Sequence, residues 1–403
     1  MAAASLPLAH RSADRVIWLI AFGHFFAHLN ILVLPPLFPV LREAYGVGYF
    51  ALGAALAVLN VTTMLSQTAI GSLVDRLGAA PILIAGHMAF AAAVALTGLL
   101  PWYAALLPLM IVAGLGNAVY HPADYAILSA NVPRERLGRA FGIHTFGGYL
   151  GFAAAPVATL GLGQWIGWQA ALMVIGGAGL VLGLVLVRWR PLLETRPVPG
   201  RGGAGGTWQL LRSAPVLWAL VFFTLLAMAG AGISSFSVAV LGELEGFSPV
   251  EAGVPLTAFL VGTALGVLGG GWAADRTSHH GAVVAACFIV VAAVAALLAA
   301  VRLGLPLTVL VLGVAGIASG FVSPSRDMLV KKVTPAGASG RVFGFVTIGF
   351  NIGGFIAPPL FGFAVDHGMP AAVFWLVAGL SLLSLVSVLA TSAAGRHAVQ
   401  PAE

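Results

Sequence analysis

Twelve runs of about 20 predominantly apolar residues, most of them separated by short loops, set the terms for this chain. A helix rises 1.5 Å per residue, so a run of that length crosses the hydrocarbon layer of a bilayer. In lipid no water pairs with the backbone, so each run must satisfy its own N–H and C=O groups as a helix. The predicted spans are 16–40, 50–72, 80–100, 104–129, 138–161 and 166–188, then 213–238, 250–273, 281–301, 305–330, 339–363 and 371–392. Only 8% of the 403 residues are charged, 60% are hydrophobic and the mean hydropathy is +1.02. A soluble domain carries about 25% charged residues. The lipid bilayer is therefore the expected solvent for most of the chain. The net charge of +6 does not mark a nucleic-acid binder, because no basic cluster with interleaved aromatics exists. The single cysteine, Cys287, excludes an intrachain disulfide. The first apolar run continues to about Val40, too long for the core of a cleaved signal.

Lys and Arg predict the orientation. Sixteen of them, including Arg76, Arg134, Arg139, Arg276, Lys331 and Arg341, fall on one side if the loops alternate, and only Arg42 and Arg302 on the other. The positive-inside bias then places both termini in the cytoplasm and the protein in a bacterial-type inner membrane. The Pro-, Gly- and Arg-rich stretch 190–212 reads as a cytoplasmic linker between a bundle at 1–189 and a second at 213–403.

The halves repeat. Gly71, Asp75 and Arg76 match Gly271, Asp275 and Arg276 at an offset of 200. Pro122, Pro133, Gly138–Arg139, Gly142 and Pro156 match Pro324, Pro335, Gly340–Arg341, Gly344 and Pro358 at an offset of 202. An ordered series at nearly one offset implies duplication of a six-span unit, giving an all-α membrane fold of two pseudo-symmetric bundles.

On these residues the chain resembles the major facilitator superfamily along nearly its whole length. The marks are Gly71-Ser-Leu-Val-Asp75-Arg76-Leu-Gly78, its echo at Gly271–Arg276, and the Arg134-Glu-Arg136 to Gly142 loop. His24-x-x-x-His28-x-Asn30, Tyr120-His121-Pro122 and Gly147-Gly148-x-x-Gly151 are similar to the fosmidomycin-resistance exporters. Members of that branch carry an acidic residue just after the helix 1 Asn, where this chain has Ile31. The resemblance implies a central cavity lined by helices 1, 4, 7 and 10. It also implies a cytoplasmic gate in which Asp75 caps helix 11 near Arg341 and Asp275 caps helix 5 near Arg139. Gly71 is expected to permit the close packing this needs. A helix N-terminus, with unpaired N–H groups and a positive dipole end, suits such a carboxylate.

Asp124, Asp327 and Arg326 are the ionisable Asp, Glu, Lys or Arg residues that lie well inside spans. A charge in hydrocarbon costs about 3 kcal/mol, so it faces a cavity or a partner. Arg326 is the repeat position of Asp124, which predicts opposite charges facing each other across an inner vestibule; the alternative is that each is satisfied separately. Asp327 and Lys331 are placed to pair along one helix. Further polar residues at mid-depth are His24, His28, Asn30, Asn117, Tyr120, His121, His144 and Tyr149, with Asn351 at the repeat position of Tyr149. They are candidates for substrate binding or proton coupling, or for interhelical hydrogen bonds. His24 and His28 have the spacing of metal ligands, but no helical Cys, Asp or Glu of similar spacing completes a set, so neither metal nor cofactor is expected.

No Walker motif, nucleophile–base pair or metal set is legible, which argues against an ATP-driven pump and a membrane enzyme. A non-transporting receptor or scaffold would need neither the mid-depth polar residues nor the paired loop motifs. The expectation is a monomeric secondary transporter that exports a small anionic or drug-like compound with protons. Proton-coupled import of a small metabolite is the nearest alternative.

Overall fold

In a computed structural model the backbone is described for residues 6–195, 211–332, 334 and 339–399, and side chains for 12–195, 211–331, 334 and 342–388. Twelve helices are long and apolar enough to span a membrane: α1 Ser12–Tyr45, α2 Tyr49–Leu77, α3 Ala79–Leu99, α4 Tyr103–Asn131, α5 Arg134–Ile166, α6 Trp168–Arg188, α7 Ala214–Glu245, α8 Pro249–Ala274, α9 His280–Ala300, α10 Gly304–Lys331, α11 Val342–Asp366 and α12 Pro370–Val388. Each overlaps one predicted span, and the described residues contain no strand. Large apolar side chains such as Leu65, Trp165 and Trp272 are more than 60% exposed. In water such a surface would aggregate; against acyl chains it is the ordinary outer face of a bundle.

The chain divides into two units, Met1–Val40 with Val58–Arg201, and Leu41–Ala57 with Gly202–Glu403. The end of α1 and the start of α2 thus pack with the second unit, whereas the sequence placed them inside the first bundle. Most of the expected linker lies outside the described residues.

Prolines shape the helices where chemistry gathers. The regular helix of α1 ends at Ile31, and a 3-10 turn at Pro35–Leu37 carries the chain into Phe38–Tyr45. Pro35 and Pro36 lack the N–H groups that would continue the ladder. In α4 the helix Tyr103–Asn117 stops and restarts at Tyr120. Pro122 accounts for this: its ring collides with the carbonyl four residues back, at Ala118. Its repeat mate Pro324 lies inside an unbroken helix, Gly304–Lys332, so the duplicated halves have diverged here.

Glycines let the helices approach. In the first unit a Cβ on Gly147 or Gly151 of α5 would run into the carbonyl of Ala21 or Phe25 on α1. In the second, a Cβ on Gly349 or Gly353 of α11 would meet the carbonyl of Leu220 or Thr224 on α7. Gly349 and Gly353 stand 202 residues after Gly147 and Gly151, so the repeat preserves a helix contact as well as loop motifs. Gly71 and Gly271 have nothing described within 4 Å of a built Cβ. Several hydroxyls buried in the spans return to their own helices, as Thr97 does to the Ala93 carbonyl at 2.8 Å and Ser381 to that of Val377 at 2.8 Å, whereas Thr63 of α2 donates to the Gly114 carbonyl of α4 at 3.0 Å.

Several helix starts are capped, two of them by residues far away in sequence. Thr195 Oγ1 accepts from the Ala79 N–H at 2.9 Å. Ser248 and Glu251 form a capping box on α8. Within the second unit, Asp366 at the end of α11 accepts from the N–H groups of Tyr49 and Phe50, both at 2.8 Å. Gly48 leaves room for that carboxylate, since a Cβ there would overlap it. An N-cap contributes about 1 kcal/mol. Asp366→Ala is expected to lower the thermal midpoint of the detergent-solubilised protein, with Asp366→Asn, which keeps an acceptor oxygen, nearer wild type. An alanine variant as stable as the parent would show that the cap contributes nothing.

Candidate functional site

Five of the predicted polar residues gather inside the first unit: His24 and His28 of α1, His121 and Asp124 of α4, and His144 of α5. Asp124 is fully buried, and His24 and His144 are at most 3% exposed. His144 Nε2 and Asp124 Oδ2 share a hydrogen bond of 2.9 Å. His24 Nδ1 lies 3.4 Å from the same oxygen. The His24 and His144 rings stack with centroids 3.8 Å apart, His28 lies 4.4 Å from His24, and His121 lies 5.4 Å from it.

Local sequence explains the convergence. His24 and His28 share a helix face. The break before Pro122 starts a new turn at Tyr120, and from there His121 and Asp124 are one helical turn apart. Gly148 leaves space for the imidazoles, since a Cβ there would stand 2.8–3.0 Å from His24 and His28 ring atoms. His121 is exposed, although densely surrounded, and the neighbouring Tyr125 is 47% exposed. The Tyr125 ring is 5.8 Å from His121 and 5.6 Å from His144. Exposed polar rings thus lie close to the buried carboxylate.

His87 was not singled out by the sequence, yet it is wholly buried beside this cluster. Its Nε2 is 2.9 Å from the Gly179 carbonyl and its Nδ1 2.8 Å from the Tyr120 hydroxyl. A carbonyl only accepts, so Nε2 carries the proton and Nδ1 accepts from Tyr120. This pins the first turn after the break in α4 to α3 and α6. The available signal was its place among the few polar side chains of an otherwise apolar α3.

Other predicted residues fall elsewhere. Asn117 donates to Thr63 Oγ1 at 3.4 Å, an interhelical bond to α2. Asn30 is 3% exposed and both its amide atoms lack described partners. Tyr149 and Asn351 are half-buried. The expected Asp124–Arg326 pairing gives way to separate satisfaction: Asp124 takes histidines of its own unit. In the second unit, Arg326 Nε donates to Asp327 at 2.9 Å while its guanidinium lies over Phe223 and Phe350, 4.8 and 5.5 Å from the centroids. Asp327 accordingly pairs with its neighbour and not with Lys331. The cause is local, because an adjacent arginine reaches the carboxylate while its chain covers the aromatic rings.

Of the loop motif residues, Asp75, Arg76, Arg139, Asp275 and Arg276 are exposed. Arg276 donates to the Trp272 carbonyl at 3.1 Å and stacks over its ring at 4.3 Å. The side chain of Arg341 lies outside the described residues.

The residues are of the kinds that hold protons, anions or metal ions. One ligand atom each from His24, Asp124 and His144 lies within 4.8 Å of the others. The sequence expectation that no carboxylate joins the histidines is corrected by this geometry. The carboxylate and second imidazole arrive from α4 and α5, where spacing along α1 cannot reveal them.

The sequence profile of the Major Facilitator Superfamily matches residues 20–298 and 225–403. The chain is 24% identical over 365 residues to the "Multi-drug resistance efflux pump PmrA" of Streptococcus pneumoniae, covering 85% of this chain and 87% of that protein. It is 22% identical to a "D-galactonate transporter" of Escherichia coli, with 86% and 89% covered. Among solved structures, a single-site mutant of the nucleoside transporter NupG superposes with a TM-score of 0.78 at 15% identity, covering 94% of this chain and 99% of that one.

Proposed function

The chain belongs to the Major Facilitator Superfamily, and from that premise we propose that it is a secondary active transporter exporting a small anionic or drug-like solute in exchange for protons. The observation that carries the proton reading is the fully buried Asp124, bonded to His144 with His24 beside it. An isolated carboxylate cannot stay charged without water or a partner. A proton resting on the carboxylate or on the bonded imidazole neutralises the pair, and carboxylate–imidazole sets inside a membrane serve as proton relays. His121 and Tyr125 supply the route by which that proton enters and leaves. The similarity to proteins named for drug efflux and for an organic acid supports a small organic substrate.

We assign the loop motifs to gating. Asp75 and Asp275 stand exposed at the ends of α2 and α8, where a carboxylate is available to a helix start that approaches in one conformation of the cycle. Both termini lie in the cytoplasm in this reading, as the arginine distribution requires.

The test is transport by purified protein in proteoliposomes with an imposed pH difference and a panel of organic anions and hydrophobic drugs. Solute accumulation is expected to follow the pH difference and to collapse with a protonophore. Accumulation that ignores the pH difference would remove proton coupling, and movement in the same direction as protons would make the protein an importer.

A further inference from the structure

We propose that His24, Asp124 and His144 form a binding site for one divalent transition-metal ion of the zinc class. The proposal rests on their geometry and deepens the reading of the same site without depending on proton coupling. Zinc binds imidazole nitrogen and carboxylate oxygen at about 2.0–2.2 Å, which places neighbouring ligand atoms about 3.4 Å apart in a tetrahedron. Asp124 Oδ2 lies 2.9 Å from His144 Nε2 and 3.4 Å from His24 Nδ1, and all three atoms fall within 4.8 Å. The three side chains come from three helices and are all buried.

The pattern of unmet bonds points the same way. A plain His–Asp hydrogen bond accounts for His144 Nε2 and Asp124 Oδ2 and leaves the rest unexplained. His24 Nδ1 faces the carboxylate without a hydrogen bond, and Asp124 Oδ1, His144 Nδ1 and His28 Nδ1 are likewise buried and unpaired. Buried polar atoms are nearly always satisfied, so several at one point call for an occupant. Two stacked imidazoles cannot both carry a positive charge cheaply at a centroid separation of 3.8 Å. A divalent ion binds them as neutral rings beside the single carboxylate, and the one positive charge left over is neutralised when its bound water is held as hydroxide. The rings open slightly as it enters past the exposed His121, whose ring lies 5.4 Å from that of His24, and a water completes the four-coordinate ion.

The test uses full-length, tag-free protein in detergent, stripped with a chelator and titrated with Co2+ and Zn2+ alone. Wild type is expected to take up one ion per chain, with the visible bands of four-coordinate Co2+. Asp124→Asn, His24→Gln and His144→Gln are each expected to weaken binding by about tenfold or more and to lose the bands. His279→Gln, at an exposed histidine, is expected to leave both unchanged. Should the variants fold poorly, zinc X-ray absorption of the wild type reads the same claim, two imidazoles bound to the ion. No ion uptake, uptake indifferent to all three substitutions, or an ion without imidazole ligands overturns the site. Because binding is read without a membrane or gradient, its failure leaves the transport assay untouched, and a transporter that proves proton-independent leaves the binding result standing.

Discussion

Asp124→Asn is expected to abolish uphill transport while leaving exchange across the membrane intact. Asparagine keeps the size of the side chain and an oxygen that accepts from His144 Nε2, so packing around the 2.9 Å contact survives. What it loses is the ability to take and release a proton. With one proton exchanged per solute, each unit of pH difference sustains about tenfold accumulation, since a unit corresponds to 1.36 kcal/mol. The variant is expected to bring its solute only to equal concentrations, about a tenfold loss at one unit of imposed difference. Counterflow, in which labelled solute swaps against unlabelled with no net proton movement, is expected to proceed. Normal accumulation by the variant would take the coupling role away from Asp124. Loss of both accumulation and counterflow would make it a binding or structural residue instead.

That expectation depends on contacts the sequence did not contain. The twelve spans were legible because each is a continuous apolar run, and lipid permits only one backbone solution for such a run. The duplication was legible because motifs recur at a nearly constant offset. Asp124 stood out because a lone carboxylate in a span is costly. Its partners did not, because His24 is 100 residues away and His144 approaches from another helix. The repeat pointed to Arg326 by symmetry. The halves had already diverged: Val346 occupies the position equivalent to His144, and Arg326 lies over phenylalanines. Pseudo-symmetry conserved the helix contact at Gly147 and Gly151 but not the polar chemistry beside it. His87 received no role because its sequence position reads as near the cytoplasmic end of its span, whereas it is buried against Tyr120 and the Gly179 carbonyl. The assignment of 41–57 to the second unit was equally hidden, because its contacts, among them the Asp366 cap on Tyr49 and the approach of Gly53 to Pro358, lie about 300 residues on in sequence.

The same reasoning makes Gly151 the most sensitive structural position near the site. A methyl group there would overlap the Phe25 carbonyl and stand 3.1 Å from the Leu29 nitrogen. Both are backbone atoms of α1, so no side chain can swing aside, and α1 and α5 must separate. Overpacking of this kind costs about 1–3 kcal/mol. Separation also carries His24 and His28 away from His144 and Asp124, because all four are fixed to the two helices and to α4. Gly151→Ala is therefore expected to lower both the thermal midpoint in detergent and the transport rate, and Gly151→Val to prevent recovery of folded protein. Gly177 on α6 is the control: nothing lies within 4 Å of its built Cβ. Gly177→Ala in a helix interior is expected to be neutral or to stabilise by up to about 1 kcal/mol. If Gly151→Ala is as stable and active as Gly177→Ala, α1 and α5 do not pack as closely as described, and the proximity of His24 to His144 loses its basis.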